Sequence, residues 1–174
     1  MRTSTSRATS LSACPGPGRS LRVLGIDPGL SASGYGIVEG RVAVGFGVIV
    51  TRAGFPPEER LRELADGLDR VVRRFRPDVC AMEAMFFKGG GARSVILAAQ
   101  SRGALLSVLG RRGVRVTELT PATVKLAVTG SGRASKSQLG YMIRALLRLD
   151  GRVPEHAADA LAAAWCLARR MPRR

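Results

Sequence analysis

The chain has 174 residues, with 28 Lys+Arg against 13 Asp+Glu, a net charge of +15 near neutrality and 45% hydrophobic residues. That length accommodates one domain with a substantial core and is too short for two. No apolar stretch approaches the roughly 18 residues of a membrane span, and positive charge in this excess favours nucleic acid as partner, because basic side chains that neutralise phosphates release condensed counterions. Cys14, Cys80 and Cys166 form no CxxC pair and are odd in number, which argues against a disulfide framework or a zinc site. A reducing, cytoplasmic interior is the expected home.

Residues 1–20 are rich in Ser, Thr, Arg, Pro and Gly and contain no acid. They read as a disordered N-terminal tail, a composition that also fits a transit peptide or a misassigned start. A single domain is expected over 21–170, followed by a basic tail at 171–174. A first strand spans about 21 to 27 and ends at Asp27. Pro28-Gly29 and a small polar loop lead to Gly34–Glu39, and Gly40-Arg41 turns the chain into Val42–Val50, so three antiparallel strands are expected. Pro56-Pro57-Glu58-Glu59 marks a helix start. Leu61, Leu64, Leu68, Val71, Val72 and Phe75 follow at helical spacing. Asp78–Glu83 predicts a short buried strand, Phe86–Gly91 a loop, 92–110 a long apolar helix and Val114–Leu119 a further strand. Pro121 opens a short helix, and helices over about 135–149 and 154–170 complete the chain. This order predicts an α/β fold: a mixed five-stranded sheet, three strands antiparallel and the others parallel, flanked by helices on both faces.

Asp27 and Glu83 end two apolar strands that should lie side by side, and His156 and Asp159 open the last helix three residues apart, on one face. Glu155 is four residues from Asp159 and shares that face almost as well, so spacing does not choose between Glu155 and His156. Carboxylates at the ends of core strands are costly without positive charge beside them. Arginine could supply it, but acids arriving from distant segments suit a divalent metal site better. Two ions about 4 Å apart clamp the attacking water and leaving oxygen of a phosphodiester. With the net charge, this points to a metal-dependent enzyme acting on a polyanion.

Gly25-Ile-Asp-Pro-Gly29, Gly34-Tyr-Gly36, Met82-Glu-Ala-Met-Phe-Phe87, Gln100-Ser-Arg-Gly103, Val124-Lys125, Gly130–Lys136 and His156-Ala-Ala-Asp-Ala-Leu161 resemble, in order, the motifs of the RuvC family of Holliday junction resolvases. The likeness runs from about 21 to 168. It implies a ribonuclease-H-like fold, a homodimer, four-way junction DNA as substrate, two Mg²⁺ or Mn²⁺ ions per site, and RuvA and RuvB as partner proteins. It also implies that Asp27, Glu83 and Asp159 are catalytic metal ligands. His156 stands where many members carry aspartate. That lowers the site's charge from about −4 to −3 near neutrality and favours manganese over magnesium, with His156 as a ligand or a proton-transfer group.

Phe86 aligns with the family's stacking aromatic; with Phe87 and Lys88 it precedes a glycine stretch and is expected to contact DNA. Ser135 and Gln138 fit a capping box. Lys136, in the first turn beside free backbone N–H groups, reads with Lys125 and Arg133 as a phosphate site. Three rival readings remain. An Asp-x-Gly after the first strand also begins the actin and sugar-kinase ATPases, but these need a second phosphate loop and far more chain. The others are a YqgF-like nuclease acting on RNA and a junction-binding protein without cleavage.

Overall fold

The computed structural model describes residues 20–84 and 91–171. The expected DNA contacts Phe86, Phe87 and Lys88 lie outside the described residues, as do all but Ser20 and Met171 of the expected tails over 1–20 and 171–174. Three strands come first, β1 (Arg22–Asp27), β2 (Ala32–Glu39) and β3 (Val42–Val50), followed by α1 (Pro57–Phe75), β4 (Val79–Glu83), α2 (Ala92–Arg111) and β5 (Arg115–Leu119). Three helices then close the fold: α3 (Pro121–Thr129), α4 (Lys136–Leu147) and α5 (Glu155–Arg170). The sheet order is β3-β2-β1-β4-β5, antiparallel between β3, β2 and β1 and parallel between β1, β4 and β5. This is the mixed five-stranded sheet expected from the pattern. β2 begins two residues earlier than expected, because Gly29 N–H donates to Ser33 Oγ, which in turn donates to Gly29 C=O, folding the polar loop tightly.

Strand alternation gives the sheet two apolar faces. Leu24, Ile26, Ile37, Cys80 and Met82 face α1 and α2, where they meet Leu64, Leu68, Leu105 and Leu109. Val23, Val38, Val79 and Ala81 face the other way, onto Leu139, Ile143, Leu161 and Trp165. Each fully buried aliphatic side chain contributes about 1.5–3 kcal/mol. Local signals fix the helix ends. Pro57 occupies the first turn of α1 with Glu58 and Glu59. Thr120 caps α3, and Ser135 and Gln138 complete the reciprocal box that starts α4. Cys80 and Cys166 are both free and buried, and burial pushes both thiols up.

Helix α5 comes unusually close to the sheet. Added β-carbons would lie 1.8 Å from Ala160 O at Gly25, 1.9 Å from His156 O at Gly34 and 2.6 Å from Leu161 Cγ at Gly36. Glycine at these positions lets helix backbone rest on strand backbone. Alanines at 157, 158, 160, 162, 163 and 164, all buried, keep the helix slim enough to fit beneath α3 and α4.

On the opposite face, Arg102 of α2 is buried, with only 8% of its surface exposed. Its Nη1 donates to the Glu83 carbonyl at 2.8 Å and its Nη2 pairs with Glu118, so one guanidinium ties together the ends of β4 and β5. At the other end of the sheet, Arg22 reaches Glu39 Oε2 at 2.6 Å and the Phe75 carbonyl at 3.0 Å.

Two substitutions test this framework. Gly25→Ala forces α5 off the sheet and lowers stability by about 3 kcal/mol in urea unfolding, where a neutral result would contradict the close seating. Arg102→Met removes a charged hydrogen bond to a strand end and costs about 2 kcal/mol. Arg102→Lys, with one ammonium for two acceptors, recovers only part of that loss.

Candidate active site

Asp27 ends β1. The parallel register pairs Ile26 with Met82, so Asp27 and Glu83 are the next residues along two adjacent strands and project from the same face as Gly25 and Ala81. That face carries α5. The seating on Gly34 brings the first turn of α5 over the strand ends, and His156 Nδ1 lies 2.7 Å from Asp27 Oδ2. A carboxylate only accepts, so Nδ1 donates, and in the tautomer this selects the lone pair lies on Nε2. The Asp27 side chain is 19% exposed and that of His156 49%. The pair is thus rooted in the fold and open to solvent.

Asp159 sits one turn further along α5, with its side chain 15% exposed. Burial pushes its carboxyl up, and the negative charge of Asp27 adds to that shift. Lys136, at the start of α4, opposes it, with Nζ 2.9 Å from Glu155 Oε1 and 3.6 Å from Asp159 Oδ2. The hydrogen bond to Glu155 raises the Lys136 ammonium above the usual lysine range, and Asp159 and Asp27 add to the shift. Glu155 is correspondingly held below the usual carboxylate range by Lys136.

The ambiguity left by helical spacing is therefore resolved in space: His156 turns to Asp27, and Glu155 turns outward to Lys136. Lys136, in the first turn of α4 where a phosphate site is expected, faces the carboxylates of Glu155 and Asp159. Arg133 is exposed in the turn before α4, and Lys125 is half-buried on α3. Among the described residues, neither forms an ion pair with the acidic group. Arg102, whose contact with the Glu83 carbonyl fixes the second strand end, stands in the sequence within the Gln100-Ser-Arg-Gly103 motif, with nothing there to name its partner.

Among the described residues, no three His, Cys, Asp or Glu side chains are gathered closely enough to grip an ion together. The positive charge beside Asp27 and Asp159 comes from Lys136, and the imidazole takes up one oxygen of Asp27. The donor chemistry still suits a divalent cation. Asp27 and Asp159 are hard oxygen donors, and burial followed by the negative charge of Asp27 raises Asp159. A cation placed between them opposes that shift.

The family profile described as crossover junction endodeoxyribonuclease RuvC matches residues 23–167. Curated relatives of the same description include proteins from Thermomicrobium roseum and Frankia alni. The first is 47% identical over 153 residues, covering 84% of this chain and 91% of that protein; the second is 44% identical over 152 residues, covering 84% and 77%. Among solved structures, T. thermophilus RuvC in complex with Holliday junction substrate superposes with a TM-score of 0.78 at 32% identity, covering 84% of this chain and 92% of that one. The yeast mitochondrial Holliday junction resolvase Ydc2, 16% identical with a TM-score of 0.63, shares the fold. The ribonuclease-H-like sheet, the order of the motifs and these likenesses lead to one conclusion: the chain belongs to the RuvC family of crossover junction endodeoxyribonucleases.

Proposed function

We propose that the chain resolves Holliday junctions by metal-dependent hydrolysis of DNA phosphodiesters. The observation that carries this reading is the meeting of Asp27, His156 and Asp159 at one end of the sheet, in a member of a family of junction endonucleases. Its support on the substrate side is the junction-bound relative of the same fold and the net charge of +15.

Asp27, Asp159 and Glu83 are assigned to holding two divalent ions, magnesium or manganese. When bound, such ions lower the pKa of water and stabilise the leaving oxygen. The protein side chains prepare that chemistry. Asp27 orients the imidazole through Nδ1, which leaves Nε2 to ligate or to take a proton from water. Lys136 balances the acidic group against an approaching phosphate and, with Lys125 and Arg133, binds the DNA backbone. Phe86, Phe87 and Lys88 are assigned to the branch point on the resemblance alone.

A homodimer would present two sites to the two strands of a junction with matching two-fold symmetry. The exposed first half of α2, where Ile96 is 55% exposed, is the surface proposed for it. RuvA and RuvB are the proposed partner proteins. No helix among the described residues is long and apolar enough to cross a membrane.

On a labelled immobile four-way junction, Asp27→Asn is expected to lower the nicking rate by between about a hundredfold and a thousandfold with junction binding retained. Equal product from parent and variant would discard the catalytic reading. His156→Ala is expected to slow cleavage by at least about a hundredfold, with the parent faster in manganese than in magnesium. Parental rates for the variant in both metals would remove His156 from the reaction.

A further inference from the structure

We propose that a groove at the end of the sheet remote from the acidic pocket is a docking site for an acidic segment of a partner protein, one that carries an apolar anchor residue. The groove has a volume of about 740 Å³ and an apolar floor that includes Val42, Leu146 and Trp165. Arg41, Arg148 and Arg169 rim it. Val42 is 60% exposed, although it belongs to a strand of the central sheet.

The three arginines come from three elements: Arg41 from the β2–β3 turn, Arg148 from the C-terminal cap of α4 and Arg169 from the last turn of α5. Among the described residues none of them forms an ion pair, in keeping with the chain's excess of basic over acidic side chains. Arg169 instead lies over the Trp165 ring, 5.9 Å from its centroid. Helix dipoles favour cations at the ends of α4 and α5 but do not account for Arg41. An anionic ligand with an apolar side chain satisfies the arginine rim and the apolar floor together.

The same charge argues against the other occupants. Residues 1–19 contain three arginines and no acid, and the chain ends in Pro172-Arg173-Arg174, so neither tail complements the rim. A second copy brings a further net charge of +15. A DNA backbone matches the arginines but offers nothing to Val42, Leu146 and Trp165.

Position separates this groove from the catalytic end. Trp165 lies nine residues beyond His156 on α5, roughly 14 Å along the helix. Arg41 lies in the turn closed by the Glu39↔Val42 pair at the hairpin end, while Asp27 pairs with Gly34 at the opposite end of β1 and β2. A partner held here leaves the acidic pocket free.

The chain's one tryptophan is the reporter. The probe is a fluorescein-labelled peptide, Ser-Asp-Glu-Leu-Glu-Asp-Phe-Glu-Asp-Leu-Glu-Ser, added to the full-length protein. Binding is expected to shift the Trp165 indole N–H resonance. Affinity should fall at least about tenfold in the double variant Arg41→Glu/Arg169→Glu and in Val42→Asp. It should fall similarly when Ser replaces Leu and Phe in the peptide. Arg70→Glu/Arg115→Glu, which changes net charge equally at exposed sites elsewhere, should bind like the parent, and thermal melts check that every variant is folded. The proposal is overturned if no binding is seen up to millimolar peptide, if both double variants bind alike, or if the indole resonance does not move. It is overturned equally if a DNA duplex displaces the peptide and shifts Trp165 in a manner dependent on Arg41 and Arg169, which would make the groove a nucleic-acid site.

Discussion

Helix α5 lies on the sheet backbone to backbone, and the geometry of the acidic pocket follows from that contact. Gly25, Gly34 and Gly36 present no side chain to the helix, and β-carbons there would fall within 3 Å of Ala160, His156 or Leu161. A helix packed through ordinary side chains sits roughly 10 Å from a neighbouring layer. At that distance the imidazole of His156 would not reach Asp27. The close seating turns two residues at a helix start into neighbours of Asp27, the first of two adjacent strand ends. Arg102 secures the second of those strand ends from the other face of the sheet.

Electrostatics then sets the character of the site. A polyanion is drawn to the molecule by its overall charge, yet it meets a local concentration of carboxylates at the cleft. Asp159 registers that concentration in its raised carboxyl, the result of burial first and Asp27 second. Lys136 offsets part of it from α4. The arrangement is locally short of positive charge within a molecule that has an excess, and under the proposed function divalent cations would complete it.

Much of this organisation was legible in the sequence because it rests on local rules. Apolar runs ending in Asp27 and Glu83 gave the strands, Pro57 with its two glutamates gave the start of α1, and the Ser135/Gln138 pair gave that of α4. The spacing of His156 and Asp159 put them on one helical face. What stayed hidden depends on how elements are rotated and pressed together. Which of Glu155 and His156 points inward depends on the roll of α5 about its axis. The partner of Lys136 depends on where the start of α4 falls beside α5. Two-residue glycine spacing in Gly34-Tyr-Gly36 was legible as a motif, and its use as a flat seat for a helix emerged only with the packing.

The central proposal is that the close seating of α5 lets Asp27, Glu83 and Asp159 converge on a divalent cation. Anomalous diffraction from crystals grown with manganese tests it directly. The account predicts manganese peaks within coordination distance of Asp27 and Asp159, one of them also reaching Glu83, with Lys136 displaced from Asp159. Manganese bound only elsewhere on the protein, with Lys136 still against Asp159, would contradict it.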